Sequence, residues 1–112
     1  MSHSVYIIIP VRNEAGNIER LFTEIPQFAA EQELIFVEGN STDDTWTVLQ
    51  QWQNSHVDTA VHTRIYQQPG KGKADAVWQG FAKATGDILM IYDGDMTVPP
   101  DALPEFYAAF EN

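Results

Sequence analysis

The sequence contains no cysteine and few basic residues. Without cysteine, disulfide bonds, zinc–thiolate sites and thiol nucleophiles are excluded, and a reducing compartment is compatible with the composition. Six lysines and arginines stand against 16 aspartates and glutamates, which gives a formal charge of −10. Nucleic acids and anionic membranes are bound through basic patches, so this balance argues against both as the main partner. A nucleotide bound through a metal ion stays compatible, because the metal needs acidic ligands.

Long apolar stretches are also missing. No run approaches the ~18 residues that span a bilayer. The first residues, Met1 to Ser4, lack the charged and apolar regions of a signal peptide. We therefore expect a cytoplasmic protein. Any association with a membrane would need a segment outside this sequence. The length of 112 residues and the 44% apolar content predict one ordered domain over residues 1–112.

Apolar runs alternate with amphipathic segments along the chain. Strands are predicted at 5–9, with Pro10 ending the strand, and at 34–37, about 61–66 and 87–92. Helices are predicted from Asn13 or Glu14 to Pro26, from a cap at Ser41 or Thr42, across 74–84 with Gly86 as C-terminal cap, and from 99–101 to Phe110. This order predicts an α/β fold with right-handed crossovers and a mostly parallel sheet.

The most informative residues are Asp93 and Asp95, which directly follow the last predicted strand. In open α/β sheets, ligands bind beyond the carboxyl ends of the strands. Two acids separated by one glycine can turn their oxygens toward one hard cation, such as Mg²⁺ or Mn²⁺. Such an ion can bridge a diphosphate and neutralise charge on a departing phosphate. Asp-Gly is also a common turn pair, so these residues alone leave a plain turn open.

Polar segments follow the other predicted strands as well. The first strand leads into Pro10-Val11-Arg12-Asn13-Glu14, and the second delivers Glu38 to its carboxyl end. After the third strand comes a glycine-bearing basic loop, Gly70-Lys71-Gly72-Lys73, ahead of a helix. A basic loop at a helix start is suited to a diphosphate, although surface lysines are usually only solvated. We expect these segments to meet at one edge of the sheet.

Taken in order, these motifs resemble the nucleotide-sugar-binding half of inverting family-two glycosyltransferases, which have a Rossmann-like GT-A fold. The resemblance covers nearly all of residues 5–110. Its segments are Ile9 to Glu14, Val37 to Asp43, Gly70 to Ala76, and Asp93-Gly94-Asp95 followed by Pro99-Pro100. The last two are most similar to polyprenyl-phosphate sugar transferases of the dolichol-phosphate mannose synthase type. One departure is Val37-Glu38-Gly39, because the family usually has two acids after this strand.

The resemblance implies a role for each matching residue. Glu38 would accept a hydrogen bond from the nucleotide base, and Lys71 would meet the diphosphate. Asp95 would be the direct metal ligand, with Mg²⁺ or Mn²⁺ as cofactor, and Asp93 would contact the ribose or the metal. The loop along the base and ribose would consist of Pro10, Arg12, Asn13 and Glu14. The departure at Glu38 and Gly39 leaves the identity of the base open.

The implied function is transfer of a sugar, with inversion, from a UDP- or GDP-sugar to an acceptor that is a polyprenyl phosphate or a saccharide. Where family members have a catalytic base, it follows the Asp-x-Asp motif at a distance, so we expect none in this chain. The sequence resembles the N-terminal half only. We expect these 112 residues alone to bind nucleotide weakly and to transfer sugar poorly or not at all.

The alternative is a non-catalytic nucleotide-binding module that depends on a partner or on a missing C-terminal half. An unfinished sheet would leave an exposed edge, which favours a homodimer. Other α/β nucleotide binders fit less well, since the sequence has neither a Gly-x-Gly-x-x-Gly turn nor a Gly-x-x-x-x-Gly-Lys-Ser/Thr phosphate loop. A phospho-accepting receiver domain would need an acidic pair where this chain has Pro10-Val11-Arg12.

Overall fold

The computed structural model describes residues 4–55, 62–72, 75–77, 79–80 and 88–111. Its strands are β1 (Ser4–Val11), β2 (Glu31–Glu38), β3 (His62–Gln67) and β4 (Ile88–Ile91). Its helices are α1 (Ile18–Glu24), preceded by a 3-10 turn at Ala15–Asn17, α2 (Thr45–Ser55) and α3 (Ala102–Glu111). Residues 75–77 and 79–80 are also helical. The predicted cap at Gly86 lies outside the described ranges, as do residues 74, 78 and 81–84 of the helix predicted before it.

The four strands form one sheet in the order β3-β2-β1-β4, and every pair is parallel. Strand β1 is central, and its apolar run from Ile7 to Ile9 is fully buried, as expected for a strand covered on both faces. The register places Val11 beside Glu38 and Glu38 beside Gln67. The carboxyl ends of the strands therefore meet at one edge. This architecture confirms the predicted α/β fold.

Side chains of β1 alternate between two apolar cores. One core contains Ile7 and Ile9 together with side chains of α1, α2 and α3. The ring of Phe22 stacks there on Phe36, with centroids 5.0 Å apart. The other core contains Ile8, packed with the helical residue Ala76. Helical segments thus cover both faces of the sheet and leave its carboxyl edge for a site.

Pro10 lies within β1, so the prediction that it ends the strand is wrong. The carbonyl of Ile8 accepts the N–H of Tyr92 at 2.9 Å, and that of Pro10 accepts the N–H of Gly94 at 3.3 Å. The backbone of Pro10 therefore faces the segment after β4, beyond Ile91, where β4 ends and the strand ladder needs no N–H donor from Pro10. A proline is tolerated where no ladder donor is needed.

Helices α1 and α2 begin later than predicted. α1 starts at Ile18 after the 3-10 turn, and α2 starts at Thr45, so Asp43 and Asp44 precede its first turn. The reason is that Asp43 Oδ1 accepts the N–H of Thr45 at 2.9 Å, which forms a turn before the helix. No helix in the described part of the chain is long and apolar enough to cross a bilayer.

Candidate functional site

A pocket of about 550 Å³ lies at the carboxyl edge of the sheet. Its volume is in the range of ligand-binding pockets, and its position is the one expected for an open α/β sheet. Segments that follow all four strands contribute to its lining, which consists of Pro10, Val11, Arg12, Glu14, Gly39, Asn40, Gln68, Lys71, Gly72, Ala76, Asp93, Gly94 and Asp95. Six of the predicted site residues therefore meet here. The other two, Asn13 and Glu38, are not among the lining residues.

Gly94 fixes the two acids against the end of β1. It is buried, and a Cβ added to it would lie 2.6 Å from Val11 Cγ1 and 3.0 Å from the carbonyl oxygen of Pro10. Real Cβ atoms do not approach so closely, so only glycine fits between the acids. Its own N–H donates to that same carbonyl. At Gly94, the segment Asp93-Gly94-Asp95 that follows β4 thus packs directly against the end of β1.

The loop after this contact is held by its own hydrogen bonds. Asp95 Oδ1 accepts the N–H of Thr97 at 3.0 Å. Met96 has φ of 58°, a left-handed conformation that is strained for a residue other than glycine. The hydroxyl of Tyr92 donates to the carbonyl of Val98, and burial raises the pKa of this phenol. Tyr92 therefore stays a protonated donor at neutral pH and closes the loop that presents both acids.

Asn13 connects the loop after β1 to the loop after β2. Its backbone has φ of 54° and its N–H donates to Ser41 Oγ at 2.8 Å. Its side-chain oxygen accepts the N–H groups of Thr42 and Asp43, at 2.8 and 3.3 Å. The structure thus uses Asn13 to tie two pocket loops together. Its predicted contact with a nucleotide stays a prediction.

Glu14 extends this connection to the acid pair. Its N–H donates to Thr45 Oγ1 at 2.9 Å, and its carboxylate accepts from Asn17 Nδ2 at 2.7 Å. Asn17 Nδ2 also lies 3.3 Å from the carbonyl oxygen of Gly94. The side chain of Asn17 therefore links the carboxylate of Glu14 to the loop that carries Asp93 and Asp95.

Asp43 lies in the same group of bonded loops. Hydrogen bonds to its carboxylate lower its pKa, and the largest contribution comes from the Thr45 hydroxyl.

Glu38 is 1% exposed and its Oε2 accepts the N–H of Ser41, so this oxygen is engaged in the turn after β2. A base contact by Glu38 stays a prediction. At Gly39, where this chain departs from the family pattern, the surroundings are close-packed. A Cβ on Gly39 would lie 3.3 Å from Gln68 Oε1 and 3.4 Å from Arg12 Cβ. A side chain at this position would therefore be in tight contact with Gln68 and would require a small shift of its side-chain amide.

Asn40 and Gln68 are pocket residues that the sequence analysis missed. Asn40 has φ of 58°, and Gln68 is 3% exposed although it is polar. In the sequence, Gln68 lies two residues after the strand predicted at about 61–66, a position that does not distinguish it from Gln67. The side chains of Asn40 and Gln68 both donate hydrogen bonds to the loop that carries Lys71. The predicted second lysine of this loop, Lys73, lies outside the described residues.

Charge in the pocket is close to balanced. Three acids line it, Glu14, Asp93 and Asp95, and two bases, Arg12 and Lys71. The described part of the chain contains no group of three or more acids and histidines that could enclose a metal ion. Two carboxylates still suit a cation such as Mg²⁺, which takes its remaining ligands from phosphate oxygens and water. The donor set therefore fits a metal that arrives with a phosphorylated ligand.

The fold is that of the N-terminal part of GT-A glycosyltransferases, as the similarity to solved structures shows. A similar solved structure is that of the mannosyltransferase PcManGT from Pyrobaculum calidifontis in complex with GDP-Man and Mn²⁺. Its TM-score is 0.73 at 31% identity, covering 85% of this chain and 28% of that protein. The glucosyl-3-phosphoglycerate synthase of Mycobacterium tuberculosis shares the fold, with a TM-score of 0.71 at 24% identity, covering 91% of this chain and 38% of that protein. The predicted GT-A fold is confirmed.

The family model of glycosyl transferase family 2 matches residues 6–112, and the chain belongs to this family. It is 31% identical to the dolichol-phosphate mannosyltransferase of Pyrococcus furiosus, over 96% of this chain and 30% of the relative. It is also 31% identical to the undecaprenyl-phosphate 4-deoxy-4-formamido-L-arabinose transferase of Proteus mirabilis, over 97% of this chain and 34% of the relative. The chain thus spans about a third of the length of these relatives.

Proposed function

We propose that this chain is the donor-binding domain of a glycosyltransferase and that its pocket binds a UDP- or GDP-sugar with Mg²⁺ or Mn²⁺. The observation that carries the proposal is the meeting of Lys71, Arg12, Asp93 and Asp95 in one pocket of about 550 Å³. The similarity to PcManGT, solved with GDP-Man and Mn²⁺ at 31% identity, supports the same ligand class.

The roles follow from where the side chains lie. Lys71, exposed in a glycine-flanked loop, supplies positive charge to the diphosphate. Pro10 and Arg12 line the side of the pocket formed by the β1 loop, where we place the base and ribose together with Glu14. Asn13 supports this wall through the loop after β2. Glu38 is buried next to the lining residue Gly39 and does not itself line the pocket; its proposed contact with the base would use the carboxylate oxygen that does not accept from Ser41.

Charge balance explains why a cation is needed. With three acids and two bases on its wall, the pocket has a formal charge of −1 before the ligand arrives. A diphosphate adds further negative charge, and like charges at short range repel. Asp95 is the proposed direct ligand of the cation, and Asp93 a second ligand or a ribose contact. A cation held by these acids would supply positive charge to the departing nucleoside diphosphate.

The proposed reaction is a direct displacement. An acceptor oxygen forms a bond to the anomeric carbon on the face opposite the diphosphate, and the bond from that carbon to the diphosphate oxygen breaks. The configuration inverts. A polyprenyl phosphate is the proposed acceptor, with a saccharide hydroxyl as the alternative. A phosphate oxygen is already anionic, so it needs no general base, whereas a hydroxyl does.

Titration of the chain with UDP and GDP, with and without Mn²⁺, tests the proposal. We expect saturable binding that weakens by about tenfold or more without the metal, equivalent to one strong charge interaction. Asp95→Asn should abolish this metal dependence. Asp101→Asn is the matched control, since Asp101 is exposed and is not a lining residue. Equal binding with and without Mn²⁺ would contradict the assignment of the acids.

A second candidate is a donor-binding module without transferase activity of its own, since the chain spans about a third of its relatives' length. Binding without sugar transfer to a polyprenyl phosphate would favour this module, and robust transfer would exclude it. The proposed homodimer has apolar surface available on β4, which lies at one side of the sheet formed by the described strands and where Leu89 and Ile91 are 43% and 48% exposed. Sedimentation velocity at high protein concentration tests it, and a clean monomer would contradict it.

A further inference from the structure

The loop that carries Lys71 is fixed by side chains from two other parts of the chain. Asn40, after β2, donates from Nδ2 to the carbonyl oxygens of Gln68 and Gly70, at 3.1 and 3.3 Å. Gln68 Nε2 donates to the carbonyl oxygen of Gly72 at 2.9 Å. The residues on both sides of Lys71, Gly70 and Gly72, therefore have carbonyl oxygens that accept hydrogen bonds from side chains outside the loop tip.

The amide of Gln68 is the centre of this arrangement. Besides Gly72, its Nε2 donates to Asp75 Oδ2 at 2.8 Å, so both N–H groups of the amide are engaged. Its backbone N–H donates to the carbonyl oxygen of Glu38 at 2.8 Å, which ties the residue to the end of β2. At 3% exposure, the side chain has no room to reorient without breaking these bonds.

Glycine 70 makes room for the same arrangement. A Cβ added to Gly70 would lie 2.6 Å from Asp75 Oδ2 and 2.9 Å from Asp75 Cγ. The carboxylate of Asp75 therefore occupies the place of a side chain at this position. On the other side of Lys71, Gly72 has φ of 89°, which favours glycine. Gly72 is favoured by its backbone conformation, whereas Gly70 leaves space for the Asp75 carboxylate in its present position.

We propose that Gln68 is a positioning residue, which places Lys71 for the diphosphate by holding its loop through hydrogen bonds to Gly72 and Asp75. This inference rests on the proposed function of the pocket. A flexible lysine pays side-chain and backbone entropy when it binds a ligand, and a fixed loop removes the backbone part. Loss of the Gln68 amide should therefore weaken nucleotide binding through Lys71 and not through the base.

A double-mutant cycle tests the proposal. The affinity for UDP or GDP, whichever the wild type binds more tightly, is measured with Mn²⁺ for Gln68→Ala, Lys71→Ala and the double variant. We expect Gln68→Ala to weaken binding by about tenfold in the wild type and by less than about twofold once Lys71 is absent, the signature of coupled residues. Gln67→Ala is the matched control, because Gln67 is exposed and does not line the pocket.

Further variants keep the test decisive if Gln68→Ala does not fold. Gly70→Ala displaces Asp75 from the other side of the network and should give the same loss, again only when Lys71 is present. Pairing Gln68→Glu with Asp75→Asn exchanges donor and acceptor between the two side chains and should restore part of the affinity that Gln68→Glu loses. Urea unfolding of each variant verifies that it is folded.

The outcomes separate the two hypotheses. Wild-type chain that binds neither nucleotide would overturn the proposed function and this inference with it. Nucleotide binding with additive effects of Gln68→Ala and Lys71→Ala would leave the proposed function in place and overturn the positioning role. An equal loss for Gln67→Ala would overturn it as well, because the side chain of that residue is exposed and does not line the pocket.

Discussion

Substitution of Gly94 by alanine should damage the proposed site more than any change of similar size elsewhere in the chain. The added methyl group would lie 2.6 Å from Val11 Cγ1 and 3.0 Å from the carbonyl oxygen of Pro10. Val11 is buried and the second atom belongs to the backbone of β1, so neither can move freely. The segment that carries Asp93 and Asp95 must move instead.

The expected magnitude has two parts. Inserting a methyl group into packed surroundings typically lowers the free energy of unfolding by about 1–3 kcal/mol. The displaced acids should in addition lower the Mn²⁺-dependent affinity for nucleoside diphosphate by about tenfold, since loss of one well-placed charge interaction is worth about 1.4 kcal/mol. Urea unfolding measures the first effect and calorimetric titration the second.

Two other glycines provide matched controls. A Cβ on Gly16 would meet nothing within 4 Å, so Gly16→Ala should leave both quantities unchanged or slightly raise the stability. A Cβ on Gly80 would lie 2.4 Å from Ile8 Cγ2 in the core below the pocket. Gly80→Ala should therefore lower the stability without changing the metal dependence. A Gly94→Ala variant with wild-type stability and wild-type nucleotide affinity would refute the steric reasoning.

Three further predictions concern single side chains. Asp95→Asn should weaken Mn²⁺-dependent binding by about tenfold or more while Asp101→Asn has no effect, as measured by titration; equal losses would contradict the metal assignment. Asn13→Ala removes an acceptor for two amides and places alanine at φ of 54°, so the free energy of unfolding should fall by about 1–3 kcal/mol; an unchanged urea midpoint would contradict this. Because the pKa of Asp43 is lowered in the folded state, its contribution is present above the unfolded pKa of about 4 and is lost as the pH falls through the folded value. Thr45→Val should therefore lower stability at pH 7 and reduce the loss on acidification; an unchanged pH profile of unfolding would count against it.

The sequence predicted the fold well because its signals are local and consistent. The β-branched run of β1 allows little besides a buried parallel strand, and the alternation of strands and helices then leaves few topologies. The exact ends of the elements were harder. Pro10 was expected to end β1, yet its place beside β4 follows from the register of another strand, which no local pattern encodes.

The site residues that belong to a charged motif were predicted from the sequence. Those whose role depends on hydrogen bonds to distant parts of the chain were missed. Asp93, Asp95 and Lys71 carry charge in a recognisable order, and the structure brings them to one pocket. Gln68 and Asn40 are common polar residues whose importance depends on partners in other loops. Asn13 matches a family motif, but its observed bonds to the loop after β2 emerge only when both strands lie side by side.

An amide NMR titration with Mg²⁺ and either UDP or GDP tests the central claim most directly. We expect the nucleotide to shift the amides of Arg12, Gly39, Lys71 and Gly94, which lie at or beyond the carboxyl ends of the four described strands. Residues around a smaller cavity of about 290 Å³ serve as the internal reference, among them Glu31 and His62 near the amino ends of β2 and β3. Metal-dependent shifts confined to the first set would support the account. Folded protein that shows no shifts at millimolar nucleotide, or shifts only in the second set, would contradict it.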